Sequence, residues 1–439
     1  MKHFTSVVAG LALTGALAAT PALAQEGYQP TPENVAARQQ FAANKFGIFL
    51  HWGIYSMFGQ GEWYLQSNYI HKDEYAKAAR GFYPAYFDAA QWVSAFKQAG
   101  ARYICFTTRH HDGFSMFDTQ YSDYDIVDAT PFKRDIVREL TDECRKQGLK
   151  VHFYYSHIDW TRDDYPMGST GRNTGKDPQK ADWKSYFAFM NHQLEELIVR
   201  YDPDAIWFDG MWDQNSASEP FDWQLGEQYA LIHRLKPAVL IGNNHHLAPY
   251  PGEDIQLFER DLPGENKAGF SGNSVVSRLP LETCETMNGM WGYKVTDQNY
   301  KSVKELVRYL VGAAGKGANF LLNIGPQPDG ELPAKALERL AGMGEWLDKY
   351  GETIYGTTAG DVTTRAWGVT TRKGNKQYVH ILRPEDGCLF LPVTKKVKAA
   401  VTFDGHRPVK FQQNKEGLLL SVGEVPDVAD YIIELTMAD

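Results

Sequence analysis

The sequence predicts a (β/α)8-like barrel followed by a C-terminal antiparallel β-sandwich. Three observations carry that reading. A unit of amphipathic helix, glycine or proline stop and short apolar strand recurs through the first 330 residues or so. The strands of that unit are continuously apolar, as in a parallel sheet covered on both faces, and they end in polar residues. Beyond the helical segment "PAKALERLAGMGEWLDKYG" the texture changes to short alternating runs broken by turn residues, which read as antiparallel hairpins.

Taken in order, "FGIFLHWG" is the first strand candidate. "FDAAQWVSAFKQAG" places Trp92, Val93, Phe96 and Ala99 on one helical face, begins at Asp88 as a cap and stops at Gly100, and "RYICFTT" follows at once. "RDIVRELTDECRKQG" repeats the device, with Ile136, Val137, Leu140 and Cys144 inward, before "KVHFYYS". A helix from about Trp183 to Tyr201 leads to "AIWFDG", and "QYALIHRLK" leads to "VLIGNN". "IQLFER" is a sixth strand candidate, and "SVKELVRYLVGAAGKG" precedes a seventh, "ANFLLNIGP". An open doubly wound sheet is the alternative, but no glycine-rich phosphate loop follows the first strand. The expected domains are a barrel over 25–352 and a β-sandwich over 353–439.

Residues 1–24 read as a secretory signal peptide: Lys2, an apolar small-residue run, and Ala22-Leu23-Ala24 in an A-x-A arrangement. The run is too short for a membrane span and Thr20-Pro21 interrupts it, and no later segment is apolar enough to cross a bilayer. Export to a bacterial periplasm or the exterior is expected. A chain of 439 residues, 43% hydrophobic and 13% aromatic, can bury a large core. Its net charge of -9 argues against a nucleic-acid partner. Cys105, Cys144, Cys284 and Cys388 are too scattered for a disulfide framework or a C-x-x-C metal site.

A barrel of this kind carries its site at the carboxyl ends of its strands. Here those ends read His51-Trp52-Gly53, Arg109-His110-His111-Asp112, Tyr154-Tyr155-Ser156, Asp209-Gly210, Asn243-Asn244 and Asn323. Asp209 would be costly in a core, but at the open end of a strand it can serve as nucleophile, general base or metal ligand. His51, His110 and His111 at matching strand ends suit sugar hydroxyls or a metal ion. The aromatic residues of these segments, among them Trp63, Trp207, Trp212 and Trp291, suit the C–H faces of a sugar.

"FGIFLHWGIYS", "EWY" at Glu62, "RHHDGFSMFDT", "YYSHIDW", "IWFDG", "LETCETMNGMWGY" and "GANFLLNIGPQPDGELP" occur in this order over residues 40–356. Together they resemble the retaining α-L-fucosidases of glycoside hydrolase family 29. The resemblance implies hydrolysis of terminal α-L-fucose from fucosylated oligosaccharides or glycoconjugates with net retention, and no metal or other cofactor. It implies Asp209 as nucleophile and His51, Glu62, His110, His111, Tyr155 and Trp207 as residues that hold the sugar. Arg260 and Trp291 are expected beside them. Retention requires a second carboxyl group, and the candidates are Glu259, Glu265 and Glu282, with Glu265 favoured for its polar, glycine-flanked loop. Glu259 reads as a partner of the adjacent Arg260, and Glu282 as a supporting residue. Two other classes compete: a metal-dependent barrel hydrolase built on His51, His110, His111 and Asp209, and a non-catalytic fucose-binding protein.

Overall fold

The computed structural model describes residues 27–215, 220–271, 275–384 and 386–438. The expected leader, residues 1–24, lies outside them. Eight parallel strands form one sheet: β1 (Phe46–Leu50), β2 (Tyr103–Arg109), β3 (Lys150–Ser156), β4 (Ala205–Asp209), β5 (Leu240–Asn243), β6 (Gln256–Glu259), β7 (Leu281–Thr286) and β8 (Ala318–Ile324). β1 pairs with both β2 and β8, so the sheet curls into a barrel. Between β5 and β6 the ladder thins to a single bridge, Gly242 to Ile255, and there the barrel is nearly rather than fully closed.

The strands follow the expected segments, with one addition. β7, which joins β6 to β8, is an eighth strand beyond the seven candidates. Its sequence, LETCET, has only Leu281 and Cys284 as apolar residues, too few to register as a buried run, because its interior-facing positions carry polar groups that meet other polar groups inside the barrel.

Side chains alternate across each strand. Phe49, Cys105, Tyr154, Trp207, Leu257 and Leu321 fill the barrel interior. Their neighbours Ile48, Phe106, Phe153, Ile206, Phe208 and Leu322 point out to the helices. Asp88 caps its helix as expected, accepting from the Gln91 amide; Asp135 likewise accepts from the Arg138 amide, and Ser302 forms a capping box with Glu305. The connections after β5 and after β6 contain no helix among the described residues. Nothing there shortens the loops at the barrel mouth.

The C-terminal strands are β9 (Thr358–Ala359), β10 (Gly368–Lys373), β11 (Lys376–Ile381), β12 (Cys388–Leu391), β13 (Val397–Thr402), β14 (Lys410–Gln413), β15 (Leu418–Ser421) and β16 (Tyr431–Met437). They make a five-stranded sheet in the order β13-β16-β11-β10-β9 and a three-stranded sheet in the order β12-β15-β14, both antiparallel. Leu389, Leu391, Leu418 and Leu420 of the small sheet share a core with Val379, Ile381, Ile433 and Leu435 of the large one, which defines a sandwich. Its outer face belongs to the main core: a methyl group on Gly315, at the end of the helix before β8, would sit 2.4 Å from Val369 of β10. The four cysteines are unpaired, with Cys105, Cys144 and Cys284 buried and Cys388 exposed. Among the described residues no helix is long and apolar enough to cross a membrane.

Candidate active site

The carboxyl ends of the barrel strands surround a cavity of about 630 Å³, a size suited to a small ligand. Asp209, the last residue of β4, stands at its edge with its side chain 14% exposed. Four donors reach it. Oδ2 accepts from the Tyr154 hydroxyl at 2.9 Å, and Oδ1 accepts from the Gly210 amide at 2.8 Å, Trp212 Nε1 at 3.2 Å and Asn244 Nδ2 at 3.3 Å. Gly210 has φ +96°, and a Cβ there would lie 2.6 Å from Ile158. Glycine is therefore required for the turn that aims its amide back at the carboxylate.

A second carboxyl group faces the first. Glu259, the last residue of β6, accepts from the same Asn244 Nδ2 at 2.9 Å on Oε2. Because one amide nitrogen touches both acids, their nearest oxygens can be no further apart than those two hydrogen bonds laid end to end. That limit falls short of the roughly 6.5 Å at which water-admitting, inverting pairs begin. Burial, and next to it the negative charge of Asp209, push the Glu259 carboxyl up to about 7. It is therefore still partly protonated at neutrality.

Imidazoles line the cavity beside the carboxylates, with His111 Nε2 3.5 Å from Asp209 Oδ2. Burial pushes His51 down to about 3 and lowers His110 and His111 as well. The Nδ1 atoms of His51 and His111 are taken by Asn323 Oδ1 and Ser156 Oγ, both at 2.7 Å. Asn323 Nδ2 in turn donates to the Trp291 carbonyl, so one amide fixes both an imidazole and a ring-bearing loop. The buried Nδ1 of His110 has no partner among the described residues. Glu62 is raised by burial and accepts from the Gly292 amide at 2.6 Å. Trp63 stacks on Trp212 with centroids 5.8 Å apart, and the Arg260 guanidinium lies 5.0 Å from the Trp291 ring centroid. Among the described residues no group of three or more His, Cys, Asp or Glu is arranged to hold a metal ion.

Of the residues expected from the sequence, His51, Glu62, His110, His111, Trp207, Asp209, Arg260 and Trp291 line this cavity together. Tyr155 does not line it. It follows Tyr154 on β3 and so points outward, where its hydroxyl donates to Gln193 at 2.8 Å; Tyr154, paired in register with Trp207 and stacked on it at 5.5 Å, takes the place on the inner face. Glu265 also lies off the cavity. Partial burial would raise it, but Lys267 and Lys316 hold it below the usual carboxylate range, with Lys316 Nζ at 3.2 Å. A carboxyl paired to two lysines is a poor proton donor.

Glu282 sits beneath the cavity and accepts from the hydroxyl of Tyr103 and from Trp207 Nε1, an arrangement that braces the Trp207 wall. Asn244, expected as a polar strand end, lines the cavity, and His246 and Phe270 line it without having been singled out.

The two tyrosines give a direct check on this alternation. Tyr154→Phe removes a hydrogen bond to a carboxylate, worth about 1.5–3 kcal/mol, and is expected to lower kcat/KM by about 10- to 100-fold. Tyr155→Phe should leave kcat/KM within about twofold while costing about 1 kcal/mol of stability by denaturant titration. The reverse pattern would place the wrong ring at the site.

An acid and a nucleophile candidate held on one amide, in a mouth of rings and neutral imidazoles, place the molecule in the class of barrel glycosidases. A family model described as alpha-L-fucosidase matches residues 15–352. The chain belongs to the alpha-L-fucosidase family, a family of glycoside hydrolases. Plasma alpha-L-fucosidase of Homo sapiens is 30% identical over 87% of this chain and 84% of that protein. Among solved structures, alpha-L-fucosidase isoenzyme 1 of Paenibacillus thiaminolyticus superposes with a TM-score of 0.82 at 34% identity, covering 93% of this chain and 100% of that one. A Bacteroides thetaiotaomicron alpha-L-fucosidase, captured as a trapped covalent intermediate with 2-fluoro-fucosyl fluoride, superposes with a TM-score of 0.80 at 26% identity over 94% of this chain and 98% of that one.

Proposed function

We propose that this enzyme hydrolyses terminal α-L-fucose from oligosaccharides or glycoconjugates by double displacement, with Asp209 as nucleophile and Glu259, in place of the Glu265 favoured from sequence, as acid/base. The observation that supports the pairing is the shared Asn244 amide, which keeps the nearest oxygens of the two carboxyl groups closer than an inverting pair requires, while burial raises the Glu259 carboxyl to about 7. In the first step the Asp209 carboxylate forms a bond to the anomeric carbon as the glycosidic bond breaks and Glu259 gives its proton to the leaving oxygen. In the second, Glu259 takes a proton from water, whose oxygen displaces Asp209 from the anomeric carbon and regenerates both groups.

His51, His110, His111 and Glu62 are suited to hold the fucose hydroxyls, since neutral imidazoles both donate and accept. Phe49, Trp207 and Trp291 supply apolar wall for the C6 methyl group. The A-x-A pattern at Ala22–Ala24 supports export of the mature chain across the inner membrane. The test of the reaction course is stereochemical. Proton NMR during hydrolysis of an aryl α-L-fucoside should show α-L-fucose forming first, with the β anomer appearing later by mutarotation; β-fucose as the first product would sink the mechanism.

A further inference from the structure

We propose that Phe270 and His246 form the platform on which the leaving sugar stacks, and that this platform is built for a neutral pyranose. The inference rests on Glu259 as the acid. In an in-line displacement the leaving oxygen lies on the far side of the anomeric carbon from Asp209, and the proton donor must touch that oxygen. The first ring of the leaving group is therefore fixed beside Glu259. The ring found there is His246, whose Nε2 is 3.7 Å from Glu259 Oε2. Phe270 stacks on it with centroids 5.3 Å apart and planes 24° from parallel.

Two further features mark this pair as a ligand surface. Phe270 lines the cavity yet is 46% exposed, so one face of the ring is packed on His246 and the other is left open at the mouth. His246 has φ +62°, a left-handed conformation that costs a non-glycine residue about 1 kcal/mol or more. Its Nδ1 is buried with no partner among the described residues. An open aromatic face at the cavity mouth suits a pyranose, which presents C–H bonds on its face. Nothing about the pair asks for a charged leaving group.

The experiment compares two substrates on the full-length enzyme. α-L-Fucosyl fluoride leaves without a second ring or a proton; a fucosyl-galactose or fucosyl-N-acetylglucosamine disaccharide, taken in whichever linkage the wild type cleaves fastest, needs both. In Phe270→Ala the ratio of kcat/KM for the disaccharide to that for the fluoride should fall about tenfold, the loss of one stacking contact, and Phe270→Trp should restore it. An unchanged ratio in Phe270→Ala would overturn the proposal while leaving the fucosidase reading intact. A wild type inert on the fluoride would instead overturn that reading, and the platform with it.

Discussion

Replacing Asp209 by alanine is expected to lower kcat/KM on an aryl α-L-fucoside by on the order of 10⁴-fold or more, because the covalent half of the reaction loses its only bond-forming group. The structure makes the loss hard to compensate. The three nearest polar side chains, Tyr154, Trp212 and Asn244, all present hydrogen-bond donors to that point, and burial raises the Tyr154 phenol, so that it stays protonated and un-nucleophilic. Removing the carboxylate leaves a hole ringed by donors, which a small anion can fill. Azide or formate should therefore revive the variant, and azide, attacking from the vacated side, should yield β-L-fucosyl azide. Wild-type rates in Asp209→Ala would remove the basis of the mechanism.

The second large effect separates Glu259 from Glu265. Glu259→Ala should lower kcat by about 10²- to 10⁴-fold on a substrate with a poor leaving group, and far less on fucosyl fluoride, whose departure needs no proton. Azide added to this variant meets the fucosyl-enzyme instead and should give α-L-fucosyl azide. Glu265→Ala should stay within about twofold of wild type on every substrate, since its carboxyl is engaged by Lys267 and Lys316 away from the cavity. The pH profile carries the same distinction. The acid works only while protonated, so wild-type kcat/KM should be level below about 7 and fall about tenfold per unit above it. That limb should vanish in Glu259→Gln on the fluoride. A collapse in Glu265→Ala with Glu259→Ala unaffected would restore the loop residue to the role.

The barrel, the sandwich and most of the cavity wall were legible in the sequence because strand ends are local: Asp209, His51 and His110 each terminate a recognisable apolar run. What escaped has two physical causes. β7 hid because barrel-facing positions can be polar when they meet partners inside, as Glu282 meets Tyr103 and Trp207. Tyr154 and Tyr155 differ only in parity, and parity is set by register with β4, which no single strand reveals. That Glu259 rather than Glu265 lines the cavity was hidden for a third reason. Adjacent opposite charges read as an ion pair, but at the end of β6 Arg260 takes φ +59° and donates to the Gly289 carbonyl instead, leaving Glu259 turned to the cavity.

The thin seam between β5 and β6 divides labour as well as geometry. Asp209 ends a strand, and His51, His110 and His111 directly follow strands, that are paired on both sides, whereas Glu259 ends β6 and His246 and Phe270 lie in the two connections that lack helices among the described residues. An insertion or deletion in 247–255 or 261–280 would thus reshape what departs without disturbing what is gripped. In evolutionary terms the molecule carries a fixed half and an adjustable half. A lineage adapting to a new glycan would be expected to rewrite this seam first.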